Sequence, residues 1–384
     1  MTATKKRIAV WGATGSIGEQ TLEVLRQYPD RFEVTAVTAR RSGEALLNTA
    51  AEVKAPLAVL TDPAAARSWK SRFEREGISL LSGREGLLET AADSEPDLVV
   101  NGLVGSVGLE ATLLAVNAGC GIALANKEVL VMAGHLVMRA VREKGVPLLP
   151  VDSEHSALFQ CLQGEAPDRV RRLILTASGG PFRTRSADEM ESVTVEQALA
   201  HPNWSMGEKV TIDSATMVNK GLEVIEARWL FGIEPERISV VIHPQSIVHS
   251  MVEYSDGSVK AQLSMPDMRL PIAYALTWPD RGSASWGSID FSRAMTLDFF
   301  PPDLERFPGL ALAFEAARTG GTAPAVLNAA DEAAAALFLK GAIGFMDIPR
   351  LIDRELSSHT VIENPDLETI LETDREVRTR LLNE

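Results

Sequence analysis

The stretch RIAVWGATGSIGEQTLEVLRQYP, residues 7–29, carries the reading on which the fold depends. It passes from an apolar, strand-like run into Gly12, Gly15 and Gly18, and then into a helical pattern that stops at Pro29. A strand, a glycine-rich turn and a helix in that order let backbone amides approach a pyrophosphate, whose charge the helix N-terminus favours. Three glycines by themselves equally mark a plain tight turn. Their place at the first strand-to-helix turn of an alternating segment is what points to a dinucleotide.

That alternation continues to about residue 151. The runs FEVTAVTA, LAVLT, LVVNG, GIALAN and PLLPV are separated by helix-length segments, the pattern of βαβ units around a parallel sheet covered on both faces. The fold class expected is α/β, with residues 1–151 forming a Rossmann-like cofactor-binding domain. Between 152 and 290 the character changes to loop-rich segments (ASGGPFRTRS, AHPNWSMGEK), one helical stretch, and strands in VVIHPQSIVHSMVEYSDGSVKAQLS. Asp256-Gly257 inside alternating residues signals a hairpin turn. This part is expected as an α+β domain whose apolar alternation on an edge sheet suits pairing across a two-fold axis, and the family resemblance given below implies that it is the catalytic and dimerisation domain. The Gly- and Ser-bearing PDRGSASWGSIDFS leads into a linker expected at 291–302. The Ala/Leu/Glu-rich remainder, 303–384, is expected as a small helical domain.

A chain of 384 residues, 45% hydrophobic and 23% charged, is long enough for two or three domains and a real core. The formal net charge of −14 disfavours a nucleic-acid or anionic-membrane partner, so an anionic small substrate would need a local cationic pocket. Cys120 and Cys161 stand in unrelated contexts, so neither a disulfide framework nor a CxxC metal site is expected. MTATKKRIAVWG runs from a short basic leader straight into a strand, and no apolar run is long enough to span a bilayer. A cytoplasmic protein is the expectation.

The second strand, FEVTAVTARRS, would end in an acid if it met the ribose 2′-hydroxyl of NAD. It ends instead in Arg40, Arg41 and Ser42. Two guanidinium forks and a hydroxyl suit a 2′-phosphate, which makes NADP(H) the expected cofactor. The other reading is that these arginines decorate a helix start.

PLLPVDSE, read as the last strand of the first domain, puts Asp152 and Glu154 on the same side, because strand side chains alternate with period two. Two close carboxylates repel unless a cation lies between them, and oxygen ligands without His or Cys indicate a hard divalent ion. A solvated strand end, with Glu154 capping the next helix, is the alternative. A third acid is offered by TIDSATMVNKGLEVIEARWLFG, where Asp213 or Ser214 is expected as an N-cap and Asn219 and Glu223 share a helix face beside Lys220. That face is either solvated surface or a pocket wall binding phosphate and metal. In TASGGPF, Ser178 and the glycine amides form a candidate anion nest. In HPNWSMG, the aperiodic His201, Trp204 and Met206 suit a lid that closes over a substrate. His243 and His249 are assigned no role.

Taken together, GATGSIG, ANKE (Asn126, Lys127, Glu128), PVDSEHSA, TASGGPF, HPNWSMG, DSATMVNKGLEVIEA and HPQSIVHSMVEYSDGSVKAQLSMPDMRLPI resemble the 1-deoxy-D-xylulose 5-phosphate reductoisomerase family, in order and nearly end to end. The resemblance implies NADPH-dependent, metal-dependent conversion of 1-deoxy-D-xylulose 5-phosphate to 2-C-methyl-D-erythritol 4-phosphate, in the methylerythritol phosphate route to isoprenoid precursors, by a homodimer. It implies a divalent metal (Mn2+, Mg2+ or Co2+) held by Asp152, Glu154 and Glu223, with Lys127 and Ser153 near the substrate's oxygens. Ser178, His201, Ser214, Asn219 and Lys220, with Glu154 and Glu223, would bind substrate. Thr14, Gly15, Ser16, Ile17, Arg40, Arg41, Ser42, Asn126, Lys127, Glu128 and Gly207 would hold NADPH. Where the family often has glycine before its basic cofactor residue, this chain has Arg40.

Overall fold

Short, continuous apolar runs build a sheet of seven parallel strands, and the chain connects them through helices. The computed structural model describes residues 4–92, 94–201, 204, 206–283 and 286–383. It divides into two compact units, the first comprising Met1–Val129, Val137–Ser156 and Asp267–Trp286, the second Leu130–Leu136, Ala157–Pro266 and Gly287–Glu384.

In the first unit the elements run β1 (Lys6–Trp11), α1 (Ser16–Gln27), β2 (Phe32–Ala39), α2 (Gly43–Val53), β3 (Leu57–Leu60), α3 (Pro63–Arg75), β4 (Ser79–Ser82), α4 (Gly83–Ala92), β5 (Leu98–Asn101), α5 (Gly108–Asn117), β6 (Gly121–Leu124), the two ends of α6 (Glu128–Lys144), β7 (Leu148–Pro150) and the start of α7 (Ser153–Cys161). Their order across the sheet is β4-β3-β2-β1-β5-β6-β7. Every residue of β5 and β6 is buried, which is why these strands read as unbroken apolar runs. The strand order reverses between β1 and β5, and the crevice at their carboxyl ends is where open α/β sheets bind ligands. Sequence reading missed β4: it is an edge strand, exposed at both ends and only half-buried between, so it lacks the continuous apolar signal.

The segment 267–286, grouped with the middle of the chain by sequence, lies in the first unit. Its helix α12 (Arg269–Thr277) is tied there by Arg269 Nη1 to Glu23 Oε2 at 3.0 Å and by Lys6 Nζ to Leu276 O at 3.3 Å. Pairing with α1, far away in sequence, leaves no local signature.

The second unit contains a four-stranded sheet of β8 (Val170–Ala177), β9 (Ile238–Ile242), β10 (Val248–Tyr254) and β11 (Val259–Leu263), in the order β11-β10-β8-β9. The hairpin expected at Asp256-Gly257 joins β10 to β11, with Gly257 at φ +84° and Tyr254 N–H donating to Ser258 O. The central strand β8 was not singled out from sequence, since Arg171 and Arg172 interrupt its apolar pattern.

The helices of this unit are α8 (Ala187–Met190), α9 (Val195–Ala198), α10 (Glu208–Thr216), α11 (Val218–Phe231), α13 (Pro308–Thr319), α14 (Ala323–Leu339), α15 (Asp347–Ser358) and α16 (Leu367–Asn383). The last four realise the helical region expected after residue 303. No helix among the described residues is long and apolar enough to cross a membrane.

One expected helix is two. Asp213 and Ser214 do not cap the helix bearing Asn219; they lie in the last turn of α10, and Met217 breaks the run in a left-handed conformation (φ +63°) before α11 starts. A non-glycine residue held there costs about 1 kcal/mol. Met217 is nonetheless buried, and the break is packed tightly from outside: a Cβ on Gly309 of α13 would lie 3.1 Å from Thr216 O.

Candidate active site

In the first unit, the glycine loop wraps against the ends of β2 and β5. Gly12 N–H donates to Thr38 Oγ1 at 3.0 Å, and Ala13 N–H to Thr38 O at 2.7 Å. Gly12 is at φ +77°, and a Cβ there would stand 2.7 Å from Gly102 O. A Cβ on Gly18 would stand 2.3 Å from Gly12 O. Gly15 occupies the N-cap of α1 and no side chain caps the helix, so the first-turn amides are left for an anion. Thr14 and Ile17 are half-buried, while Gly15 and Ser16 are exposed.

Arg40, Arg41 and Ser42 follow β2 at the surface. Arg41 Nε meets Asp62 Oδ2 at 2.6 Å, while Oδ1 of the same carboxylate caps α3 through Ala64 N–H and Ala65 N–H. That partnership holds the Asp62 carboxyl below the usual range. Arg40 forms no ion pair among the described residues, and the Ser42 side chain does not cap α2. One guanidinium therefore stays open to a phosphate and the other is anchored.

Beyond β6 and β7, Lys127 Nζ lies 2.5 Å from Asp152 Oδ2, each side chain 12% exposed, which is little enough for the attraction to escape most solvent screening. Ser153 Oγ donates to Glu154 Oε2 at 2.6 Å. Asp152 and Glu154 are not consecutive same-side residues of a strand, as the sequence suggested. β7 stops at Pro150, Ser156 N–H bonds Asp152 O, and Glu154 sits in the first turn of α7, where the helix dipole favours its charge.

In the second unit, the turn after β8 carries Ser178, Gly179 (φ +82°) and Gly180 (φ +66°). A Cβ on Gly180 would come 2.7 Å from Ser214 O, so this turn lies directly on the end of α10. Ser178 Oγ accepts from Gly180 N–H at 3.2 Å and lies 3.0 Å from His201 Nε2. Trp204 N–H donates to His201 Nδ1 at 3.0 Å, so in the neutral ring the proton is on Nε2 and points at Ser178. With both bonds received at oxygen, the Ser178 hydroxyl proton is directed to a further acceptor. On α11, Glu223 is 1% exposed; Asn219 Nδ2 donates to its Oε1 at 2.5 Å and Lys220 Nζ pairs with its Oε2. Gly207 is the exposed N-cap of α10.

Residues 8–134 match the profile of 1-deoxy-D-xylulose 5-phosphate reductoisomerase, residues 148–231 that of its C-terminal domain, and residues 263–380 that of the DXP reductoisomerase C-terminal domain. The 1-deoxy-D-xylulose 5-phosphate reductoisomerase of Shouchella clausii (strain KSM-K16) is 52% identical over 377 residues, 98% of this chain and 99% of that relative. The chain belongs to the 1-deoxy-D-xylulose 5-phosphate reductoisomerase family. The reductoisomerase of Geobacillus kaustophilus (strain HTA426) is likewise 52% identical, over 97% of this chain and 98% of its own. Among solved structures, the reductoisomerase from Zymomonas mobilis in complex with NADPH superposes with a TM-score of 0.92 at 46% identity, covering 99% of both chains. A DOX-P reductoisomerase in complex with NADPH, fosmidomycin and magnesium gives 0.94 at 42% identity, covering 98% of both.

Among the family's expected residues, each unit assembles its own set. The first brings Lys127 to Asp152 and Ser153 to Glu154; the second brings Ser178 to His201, the Ser178 turn to Ser214, and Asn219 and Lys220 to Glu223. In the stretch expected as a lid, Trp204 and Met206 are described, whereas Pro202, Asn203 and Ser205 lie outside the described residues. Asp62 was missed, although the Asp62-Pro63 pair is a helix-start signal that places an acid just after β3. His243, assigned no role from sequence, has both ring nitrogens engaged by backbone: its Nδ1 is 2.9 Å from Asp298 O, and Nε2 accepts from Ile247 and Val248 N–H.

The His201 contacts are pH-sensitive. Burial lowers this imidazole below its ordinary 6.5, so the folded chain binds fewer protons than the unfolded one in the window beneath that value. The Trp204 N–H bond to Nδ1 is thus fully present above about pH 6.5 and is lost as pH falls through the lowered value. Hydrogen exchange at the Trp204 amide, read from pH 8 down to about 5, is expected to lose protection on acidification, and His201→Gln to remove that dependence. Protection unchanged across the range in the wild type would count against this assignment.

Proposed function

We infer that this enzyme rearranges and reduces 1-deoxy-D-xylulose 5-phosphate to 2-C-methyl-D-erythritol 4-phosphate, in the methylerythritol phosphate pathway of isoprenoid precursor synthesis. The observation that carries the reading is identity of 52% along 98% of the chain to a reductoisomerase. Bound NADPH supplies the hydride, and a bound divalent ion (Mg2+, Mn2+ or Co2+) supplies Lewis acidity at the ketose oxygens.

The residues present fit both groups. A cradle made of glycine backbone, an uncapped helix N-terminus and an unpaired Arg40 suits a phosphorylated dinucleotide, with Thr14, Gly15, Ser16 and Ile17 at the pyrophosphate and Arg40, Arg41 and Ser42 at the 2′-phosphate. Asn126, Lys127, Glu128 and Gly207 serve the nicotinamide end. Asp152, Glu154 and Glu223 form an all-carboxylate donor set of the kind a hard divalent ion takes, and they are its proposed ligands. Lys127, next to Asp152, offsets carboxylate charge and orients a substrate oxygen together with Ser153. Ser178, Ser214, Asn219 and Lys220 grip the substrate phosphate, supplying binding energy away from the reacting carbons and holding them in register. Ser178 can do so because His201 and Gly180 already satisfy its oxygen, which turns its hydroxyl proton outward. His201 and Trp204 close over the bound ketose and exclude water.

The same reading makes the enzyme a homodimer. Support comes from β11, an exposed edge strand in its sheet with Val259 half-exposed, a surface that pairs readily with a second copy. A cytoplasmic location accords with two buried, unpaired cysteines.

The test follows NADPH absorbance on addition of 1-deoxy-D-xylulose 5-phosphate, with Mg2+ or Mn2+ and then with chelator. Oxidation that requires substrate and metal together is expected. Full turnover in chelator, or none with this ketose under any metal, would overturn the reading.

A further inference from the structure

The second unit holds a cavity of about 270 Å³ where the end of β9 meets the segment leading into α13, room for about nine non-hydrogen atoms at the volume a water molecule takes in the liquid. One wall is Phe300, fixed by a backbone bridge: Ile242 N–H donates to Phe300 O at 2.8 Å, and Phe300 N–H to Ile242 O at 2.9 Å. Pro301 and Pro302 continue that wall and have no N–H to offer. Ile242, Met217 and Phe307, all buried, complete the apolar lining. Phe300 is nonetheless 48% exposed, apolar surface that an occupant of the cavity would take out of water.

Three charged side chains join this lining. Arg306 is already engaged, with Nε on Asp303 Oδ2 at 2.7 Å and Nη1 on the carbonyls of Arg183 and Arg185 at 3.1 and 2.5 Å. Arg183 is exposed and forms no ion pair among the described residues. Its stem lies along Gly179, where a Cβ would meet Arg183 Cβ at 3.0 Å. With Arg306 and Asp303 offsetting each other, one positive charge remains beside an apolar wall. That combination suits a monoanion with a hydrocarbon tail, and the guanidinium fork matches a carboxylate.

The cavity also touches two points that set the candidate phosphate site. Gly179 lies between Ser178 and Gly180, and a Cβ on Gly180 would come 2.7 Å from Ser214 O. Met217, at φ +63°, is the break between α10, which carries Ser214, and α11, which carries Asn219 and Lys220. Contacts made on Met217 by an occupant favour a conformation that side-chain-bearing residues rarely adopt, and with it the placement of those phosphate-binding groups.

We propose that this cavity binds a short aliphatic carboxylate of about seven carbons, and that its occupation strengthens the grip of Ser178, Ser214, Asn219 and Lys220 on the substrate phosphate. The second half of the inference rests on the phosphate-site reading above.

Calorimetry on the full chain tests it, with heptanoate as the probe for the cavity and inorganic phosphate as the probe for the substrate site. Heptanoate is expected to bind with a Kd of about 1 mM, and propionate, which keeps the charge and loses the tail, at least about tenfold more weakly. Saturating heptanoate should tighten phosphate about fivefold, and phosphate should tighten heptanoate by the same factor, since coupling between sites is reciprocal. Arg183→Gln is expected to weaken heptanoate about tenfold, and Thr184→Trp, which places an indole at the cavity lining, to abolish its binding, with phosphate still bound by both variants. Heptanoate that does not bind, binds no tighter than propionate, is displaced by phosphate, or is held equally by both variants would overturn the proposal. So would heptanoate binding that leaves phosphate affinity unchanged. A wild-type chain that binds heptanoate but no phosphate would instead overturn the phosphate-site reading and leave the ligand of the cavity established.

Discussion

Asp152→Asn is expected to slow metal-dependent NADPH oxidation by roughly 10²- to 10³-fold, the scale on which removal of one preorganised electrostatic group acts. The substitution keeps the shape and removes the charge. It takes one anionic oxygen from the proposed ion ligands and leaves the Lys127 ammonium, 2.5 Å away, facing a neutral amide in a spot where both side chains are only 12% exposed. Because Asp152 lies beyond β7, at the far end of the sheet from β2, affinity for 2′,5′-ADP, which carries only the adenosine end of the cofactor, should change less than about threefold, as distant, independent sites behave. The check is turnover with saturating ketose and Mg2+ or Mn2+, alongside 2′,5′-ADP titration and a melting curve. Turnover within tenfold of wild type, with the fold intact, would remove Asp152 from the proposed ligands.

Gly18→Ala should weaken NADPH by about 100-fold or more, since a loop pushed out of shape forfeits amide hydrogen bonds to a charged pyrophosphate, each worth roughly 1.5–3 kcal/mol. The added Cβ would meet Gly12 O at 2.3 Å, Ala13 Cα at 2.5 Å and Ala13 C at 2.6 Å. All three are backbone atoms, so no side chain can swing away; either α1 retreats from the loop or the loop gives up its shape. Gly15→Ala is the contrast, because its Cβ would meet only Gly12 O, at 3.4 Å, an ordinary contact. Titration by NADPH fluorescence should therefore rank Gly18→Ala far below Gly15→Ala, and equal affinities would refute the packing argument.

Much of the fold was legible because its signals are local. β1, β2, β3, β5, β6 and β7 are short apolar runs buried in a parallel sheet, and burial on both faces writes itself into consecutive residues. The same holds for the hairpin at Asp256-Gly257, where one dipeptide sets the turn. β4 and β8 escaped because one is a half-exposed edge and the other carries Arg171 and Arg172, so neither shows an unbroken pattern. The break at Met217 escaped for a different reason: nothing in the flanking residues distinguishes it from a helix interior, and contacts from Gly309 of α13, remote in sequence, hold the chain there.

The candidate site divides in the same way. Residue types alone were enough to single out the glycine loop, the arginines after β2 and the Asp152 and Glu154 pair as candidates, since phosphate, hydride donor and hard cation each demand particular donors, whereas the Asn219, Lys220 and Glu223 face read equally as solvated surface until the family resemblance was added. What each side chain does with its hydrogen-bonding capacity was decided only by the tertiary structure. Folding turns Arg41 toward Asp62 and leaves Arg40 open, spends Glu128 on Gly105, and sets the His201 proton toward Ser178. The physical reason is that a sequence specifies which donors and acceptors exist, while burial, which makes every unpaired one costly, acts only on neighbours brought together by the fold.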